Sequence, residues 1–387
     1  MIKLLKSAII VEMIDFSTRP TRAVLDALGS PDKKLKIIHI AGTNGKGSTA
    51  EFFTEILVAA GKRTGTFTSP EVYCYYDQFR IDNVPIAPSV FDGYRAATER
   101  FSASDFEKDA AAAIAAFAGE GCEWAVIECG MGGLNDATNA IYKKELAVIT
   151  SVSLEHTAYL GGTVEEICAH KAGIIRDCPA IINAHQSVEA RRFFKDYEFA
   201  DKIDAIFDGG FVYGGKRFAL KAEGCLQPHN AACAIEGARI LGIDESAIYK
   251  GIANCRPRGR LEIFGVDGRE YVLDGAHNPA AFEPLAEYLH SRDCKRTVIF
   301  GCLNDKDIDG NLSKIVADEI IAVACPGARA RTLEDTYAHC RKQFGKKRTL
   351  KVASVTQALE KADGEIVVVC GSFTLLKGAL KWIEKRR

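Results

Sequence analysis

The sequence predicts an α/β protein of two domains, each built on a mainly parallel sheet. Three observations point there. Short apolar runs alternate with stretches of helical spacing, the pattern of strands covered by helices on both faces. A second series of the same kind begins after a basic, proline- and glycine-bearing stretch, Cys255–Arg260. The chain has 387 residues, more than one core normally supports, so two domains are the default.

In chain order, a helix is expected near Pro20–Leu28, then a buried strand over Lys36–Ala41 (KIIHIA). A glycine-rich turn leads into a helix over Ser48–Ala60, where Phe52, Phe53, Ile56 and Leu57 share one face. Further strands are expected at Trp124–Cys129, Leu146–Ser151 and Ala180–Asn183, with helices near Lys108–Ala118 and Val164–Ile175. Phe211–Lys221 reads as a hairpin turning at Gly214-Gly215. Pro228–Leu241 reads as a helix, and the second series places strands at Glu270–Asp274, Thr297–Gly301, Glu319–Ala324, Leu350–Ala353 and Ile366–Cys370. The expected domains are residues 1–258 and 259–387, divided at Gly259.

Composition excludes several classes. Lys and Arg total 50 against 51 Asp and Glu, a net charge of −1, which argues against a nucleic-acid partner held by overall charge. With 47% hydrophobic and 26% charged residues the chain is ordinarily globular, not disordered. There are 13 cysteines but no Cys-x-x-Cys pair, so neither a disulfide framework nor a thiolate zinc site has spacing support. The N-terminal segment has a basic start and too short an apolar stretch for a signal peptide, and the longest apolar run, Ala110–Ala118, falls short of a membrane span. The expectation is a cytoplasmic protein with no membrane partner.

The strongest local signal is Gly42-Thr43-Asn44-Gly45-Lys46-Gly47-Ser48 between a strand and a helix. Glycines let backbone N–H groups turn toward phosphate oxygens, and a helix N-terminus adds donors and a positive dipole end. The spacing is not a strict Walker A, because Gly47 separates Lys46 from the hydroxyls. A glycine-rich turn with an exposed lysine would look the same; the strand–turn–helix setting favours a nucleotide.

Polar groups also follow other strands. Thr68-Ser69-Pro70 is a hydroxyl-rich turn, Glu128 ends an apolar strand, and His156 follows Val148–Glu155. A carboxylate, an imidazole and a hydroxyl at strand ends can hold Mg²⁺ near phosphates, although histidine is an unusual ligand for so hard an ion. Taken alone, Glu128 reads equally well as a solvated strand-end acid and His156 as a hydrogen-bonded loop residue, while Lys171 reads as a solvated helix lysine. In the second series Asp274-Gly275-Ala276-His277-Asn278-Pro279 follows a strand. Asp274 can accept from ribose hydroxyls and His277 can meet a carboxylate or phosphate, or the segment simply caps the next helix. Arg258 reads as solvated, Arg260 as able to reach phosphates, and Asn304–Asp307 and Cys370–Phe373 as loops.

Taken together, Gly42–Thr49, Thr68–Pro70, Glu128–Asn139, Ile149–Ile174, Gln227–Ala232, Gly259–Glu262, Asp274–Pro279 and Asp305–Asp307 resemble, in one order, the folylpolyglutamate synthase/dihydrofolate synthase family of the Mur ligase superfamily. The likeness runs from Ile14 to Ser372. It implies an N-terminal P-loop domain and a smaller, Rossmann-like C-terminal glutamate-ligase domain. It implies a monomeric ADP-forming ligase that joins L-glutamate to a folate-like carboxylate through an acyl phosphate. By the same resemblance, Asn44, Gly45, Lys46, Gly47 and Ser48 hold ATP phosphates. Ser69, Glu128 and His156 hold Mg²⁺, and Lys171, when carbamylated, binds a second Mg²⁺. Asn230 lies on the adenine side, Arg260 and Asp274 contact ATP, and Asp136, His277, Lys306 and Ser372 lie near the substrates. Lys46, Lys171 and His277 are the expected catalytic group.

The sequence departs from the family where the pterin is held. Gly133-Leu134-Asn135-Asp136 lacks the family's arginine. The SPH turn reads Ser69-Pro70-Glu71, the segment near the start reads Ser17-Thr18-Arg19-Pro20, and Phe106–Ala111 lacks a threonine. A related ligase acting on a non-folate acid or another amino acid is therefore the alternative. An ATP-binding protein without ligase activity would be expected to have lost one of Ser69, Glu128, His156 or Lys171, and all four are present.

Overall fold

The computed structural model describes residues 17–387; the opening segment read above for a signal peptide lies outside them. The chain divides into two compact units. The first comprises the chain up to Ser69, Gln78–Leu220 and Pro228–Cys255, and the second comprises Pro70–Asp77, Lys221–Gln227 and Arg256–Arg387.

The first unit is built on eight strands: β1 (Lys36–Ala41), β2 (Thr64–Phe67), β3 (Phe79–Ile81), β4 (Val84–Pro85), β5 (Trp124–Glu128), β6 (Leu146–Ile149), β7 (Ala180–Asn183) and β8 (Glu198–Ala200). They lie in the order β4-β3-β2-β5-β1-β6-β7-β8. From β2 to β8 all pairs are parallel, and β3 and β4 add an antiparallel edge. Strand β1 is therefore central, and its apolar run is buried from Ile37 to Ala41. The helix Lys46–Ala59 buries Phe52, Phe53, Ile56 and Leu57. The helix Asp105–Gly119 opens with a Ser104–Glu107 capping box and buries Ala110–Ile114, side chains small enough for a close approach to the sheet. A separate antiparallel sheet follows, of β9 (Ile203–Phe207), β10 (Gly210–Tyr213) and β11 (Lys216–Ala219). The β10–β11 hairpin turns at Gly214-Gly215 as the sequence suggests; β9 was not foreseen.

The second unit has six strands: β12 (Glu262–Val266), β13 (Arg269–Leu273), β14 (Arg296–Phe300), β15 (Glu319–Ala322), β16 (Thr349–Lys351) and β17 (Ile366–Cys370). Their order is β12-β13-β17-β14-β15-β16, parallel except for β12. Two apolar layers cover its faces, one centred on Val298, Phe300 and Val368 and the other on Ile299, Ile321 and Val367. All 13 cysteines are free thiols, and nine are buried, which fits their reading as packing residues. No helix among the described residues is long and apolar enough to cross a membrane.

Candidate active site

The carboxyl ends of β1, β2, β5, β6 and β7 lie along one edge of the first sheet, where open α/β sheets bind ligands. After β1 the chain turns through Gly42 and Gly45. Gly45 has φ 89°, and a methyl there would sit 2.4 Å from Asn230 Oδ1; at Gly42 it would sit 1.8 Å from Thr150 Oγ1. Only glycine fits either place. The segment after β6 clamps the loop: Thr43 N and Asn44 N donate to Ser151 O at 2.8 and 3.3 Å, and Thr43 Oγ1 bonds the backbone of Ser153.

Lys46 opens the following helix. Its ammonium donates to Thr43 O at 3.1 Å and lies 3.9 Å from Glu128 Oε1. Glu128, 3% exposed at the end of β5, accepts from Ser69 N through Oε2 at 3.3 Å. Lys46, Glu128 and Ser69 thus converge, and a methyl on Gly47 would touch the same carboxylate at 3.4 Å. Ser48 is buried beside them in sequence. His156 has a left-handed backbone, φ 51°, and its Nε2 lies 3.7 Å from Glu155 Oε1. Among the described residues no three His, Cys, Asp or Glu side chains gather as a metal site; an ammonium and a hydroxyl-bearing turn are among the polar groups brought to Glu128.

Lys171 is 1% exposed, so the reading of a solvated helix lysine, made from the residues alone, is overturned. It sits in the last turn of the helix Val164–Ala172, which starts with a Thr163–Glu166 capping box. Burial first, then the nearby Lys46 charge, lowers its pKa to about 7, with Glu155 opposing. Lys171 is thereby electrostatically coupled to both the phosphate loop and the His156 segment.

Asn230 is buried, and its Oδ1 accepts from Asn183 Nδ2 at 3.3 Å. Next to it opens a cavity of about 340 Å³ lined by Ala184, His185, Gln186, Arg191, Asp201, Ile203 and His229. The two histidine rings are 5.3 Å apart, and burial holds His229 neutral by lowering its pKa to about 4. Gln186 ties this wall to the end of β6, accepting from Val152 N and donating to Thr150 O, each at 2.9 Å. Sequence reasoning passed over Asn183 and the cavity. The strand end Ala180–Asn183 was the available signal for Asn183; the cavity, assembled from β7, β9 and a helix start, had none.

Asp136 is buried, and its oxygens accept from Met131 N, Thr138 N and Thr138 Oγ1 at 2.8, 3.0 and 2.5 Å. It builds the turn after β5. In the second unit Asp274 does the same: Oδ2 accepts from Leu261 N and Oδ1 from Ala276 N, both at 2.7 Å. Burial raises its pKa, with Arg260 opposing. Arg260 stacks over the Phe373 ring at 4.3 Å, and Arg258 lies 3.5 Å from Asp77. His277 Nδ1–H donates to Gly275 O at 2.8 Å, and its carbonyl accepts from Asn311 Nδ2 at 3.2 Å. Ser372 caps the helix Phe373–Glu384, accepting from Thr374 N. Lys306 lies in the turn after β14, its N–H on Leu303 O.

Residues 40–206 match the Mur ligase middle domain and residues 259–373 the Mur ligase glutamate ligase domain. The chain is 32% identical to the dihydrofolate synthase/folylpolyglutamate synthase of Mycobacterium tuberculosis, over 90% of this chain and 82% of that one. Its fold matches the crystal structure of the Mycobacterium tuberculosis folylpolyglutamate synthase complexed with ADP and AMPPCP, with a TM-score of 0.85 and 29% identity, covering 98% of both chains. It also matches a bifunctional folylpolyglutamate synthase/dihydrofolate synthase with Mn, AMPPNP and L-glutamate bound, with a TM-score of 0.82 and 26% identity over 96% and 95% of the two chains. The chain belongs to the dihydrofolate synthase/folylpolyglutamate synthase family of Mur ligases.

Proposed function

We propose that this protein is an ATP-dependent amide ligase that adds L-glutamate to a folate-type carboxylate. The convergence of Lys46, Glu128 and Ser69 at the phosphate loop carries the reading, and the ADP, AMPPCP, AMPPNP and L-glutamate complexes of its relatives support it. The first unit serves as the ATP-binding domain and the second as the glutamate-ligase domain; the second unit takes in Pro70–Asp77 and Lys221–Gln227 as well as Arg256–Arg387, so the expected single division at Gly259 is a simplification.

The phosphates of ATP lie over Asn44–Ser48, where Lys46 neutralises charge and the helix N-terminus supplies donors. The base occupies the cavity beside Asn230, its rim formed by the neutral His229 and by His185. A 3% exposed carboxylate beside the phosphate loop, with the Ser69 turn brought against it, fits a hard dication, and Ser69, Glu128 and His156 would hold it. When bound, the ion supplies neutralisation of phosphate charge. The substrate carboxylate attacks the γ-phosphorus and ADP leaves. The glutamate amine then attacks the acyl carbon, and phosphate departs. Positioning and charge compensation are what phosphoryl transfer asks of the protein.

Lys171 suits carbamylation. Its pKa of about 7 leaves much of the amine neutral at physiological pH, and only the neutral amine adds CO₂. The carbamate so formed replaces a buried cation by an anion able to hold a second Mg²⁺. His277, Lys306 and Ser372 serve the incoming amino acid, and Arg260 and Asp274 serve ATP, Asp274 by shaping the turn that carries Arg260.

The alternative acyl substrate keeps one observation in its favour. Leu134, where the family has arginine, is 48% exposed, so this position presents an apolar side chain instead of a cation. ADP release and product mass measured with tetrahydrofolate, dihydropteroate and a panel of amino acids decide it. Folate turnover with glutamate is expected; no ADP release with either pterin would overturn the folate reading.

A further inference from the structure

The carbonyls of a helix's last turn have no partner inside the helix and must find donors elsewhere. In the helix that carries Lys171 they face the segment Gly133–Lys144, in which Asp136–Ile141 and Lys144 are buried. Leu134 N donates to His170 O at 2.7 Å. A methyl on Gly133 would lie 2.8 Å from His170 O and 2.9 Å from the carbonyl oxygen of Lys171, so the two backbones touch. Asn139 Nδ2 bridges them, donating to Leu134 O at 2.9 Å and to Gly173 O at 3.1 Å. Asn139 Oδ1 in turn accepts from Lys144 Nζ at 2.6 Å, and the same ammonium reaches Ile174 O at 2.8 Å. Arg176 Nη2 adds a bond to Asn139 O at 2.7 Å.

Lys144 is 3% exposed, and none of the ion pairs among the described residues includes it. A buried cation without a counter-ion is costly, and a leucine or methionine would fill an ordinary core position at no such cost. Burial, reinforced by Arg176, lowers the Lys144 pKa to about 8. What compensates is the Asn139 amide oxygen and the Ile174 carbonyl just past the end of the helix, at the negative end of its dipole.

We propose that Lys144 is a positioning residue for Lys171: its ammonium locks Asn139, and Asn139 fixes the C-cap of the helix that carries Lys171. The inference rests on the role given to Lys171 above. Groups that orient a metal-site ligand typically matter about 10–100-fold, and that is the loss expected here.

The test compares Lys144→Met, Lys144→Arg and Asn139→Asp in the full chain. Lys144→Met should lower kcat about 10–100-fold with KM for ATP unchanged, and Lys144→Arg should restore most of it. Asn139→Asp keeps an acceptor for Lys144, so the fold holds, yet it loses both amide donors and should lower kcat likewise. Carbon NMR in labelled bicarbonate supplies a second readout. The carbamate signal should weaken in Lys144→Met and return, together with kcat, in excess bicarbonate, which a merely structural loss would not do. Wild-type kcat in Lys144→Met, or a loss that only follows the folded fraction, would overturn the proposal. A wild-type enzyme without carbamate would instead refute the Lys171 reading, and the split between kcat and KM in Asn139→Asp would still decide Lys144.

Discussion

Replacing Lys171 with methionine should make the protein more stable and inactive. The side chain is 1% exposed, so solvent screens its charge little. Its pKa falls from the ordinary 10.5 to about 7 on folding. At about 1.4 kcal/mol per pKa unit, holding the ammonium in the fold costs about 3–5 kcal/mol below pH 7. The sign follows from proton counting. Between pH 7 and 10.5 the unfolded chain binds the proton and the folded chain has lost it, so wild-type stability rises with pH through that window. Methionine has similar length and no charge, so the variant lacks both the cost and its pH dependence. At pH 6.5 it should exceed wild type by about 3–5 kcal/mol, and the gap should narrow by about 2–3 kcal/mol at pH 9. Trp124 lies in the first unit and Trp382 in the second. Urea unfolding read by Trp124 fluorescence in a Trp382→Phe background therefore follows the relevant unit. Carbon dioxide, nucleotide and divalent metal are excluded so that the amine stays unmodified. A variant less stable than wild type at pH 6.5, or a gap that does not narrow at pH 9, would refute the assignment of a strained buried ammonium.

Three further outcomes are expected. Lys46→Ala should abolish ATP turnover with an unchanged circular dichroism spectrum; wild-type turnover would remove the phosphate-loop assignment. Gly45→Ala puts a methyl 2.4 Å from Asn230 Oδ1 at φ 89° and adds about 1–2 kcal/mol of left-handed strain. ADP affinity measured by calorimetry should fall well beyond any loss in Gly121→Ala, whose φ of 77° carries the same strain with nothing within 4 Å of the added methyl. Asp274→Asn turns one carboxylate acceptor into an N–H donor facing a backbone N–H, at a cost of about 1–3 kcal/mol. It should lower the thermal midpoint and raise KM for ATP; an unchanged midpoint would show that the Leu261 and Ala276 bonds are dispensable.

The first sheet was legible where strands are buried on both faces. Lys36–Ala41, Trp124–Glu128 and Ala180–Asn183 are continuous apolar runs because helices cover both sides. Edge strands carry no such run. Strand β4 is two residues long with Val84 66% exposed, and it is visible only through its neighbour. Strand β12 had a signal that was overlooked: Asp267-Gly268 is a two-residue hairpin turn, both residues left-handed at φ 50° and 74°. The phosphate loop was legible for a different reason. Its glycines answer to local backbone geometry, which sequence records directly, and each has a specific atom where a methyl would go.

Buried charge is the part that sequence hides, because it depends on which distant element arrives. Lys143 and Lys144 are adjacent in the same Tyr-Lys-Lys-Glu stretch. The Lys143 side chain is 77% exposed and pairs with Glu145, while Lys144 is 3% exposed beneath the end of a helix that starts some twenty residues later. No local pattern separates them. Asp136 and Asp274 make the same point for acids. Each follows or closes a strand end, as a ligand-facing carboxylate would, and each proves to have both oxygens on backbone N–H groups. Their contribution to the chemistry is the shape of a turn: Asp136 fixes the segment that meets the Lys171 helix, and Asp274 fixes the one that bears Arg260. A carboxylate so engaged should tolerate glutamate worse than asparagine, because an extra methylene moves both acceptors, whereas a metal-binding carboxylate often accepts that exchange. Asp136→Glu losing more activity than Asp136→Asn would place the residue with the scaffold, and the reverse order would return it to the substrate.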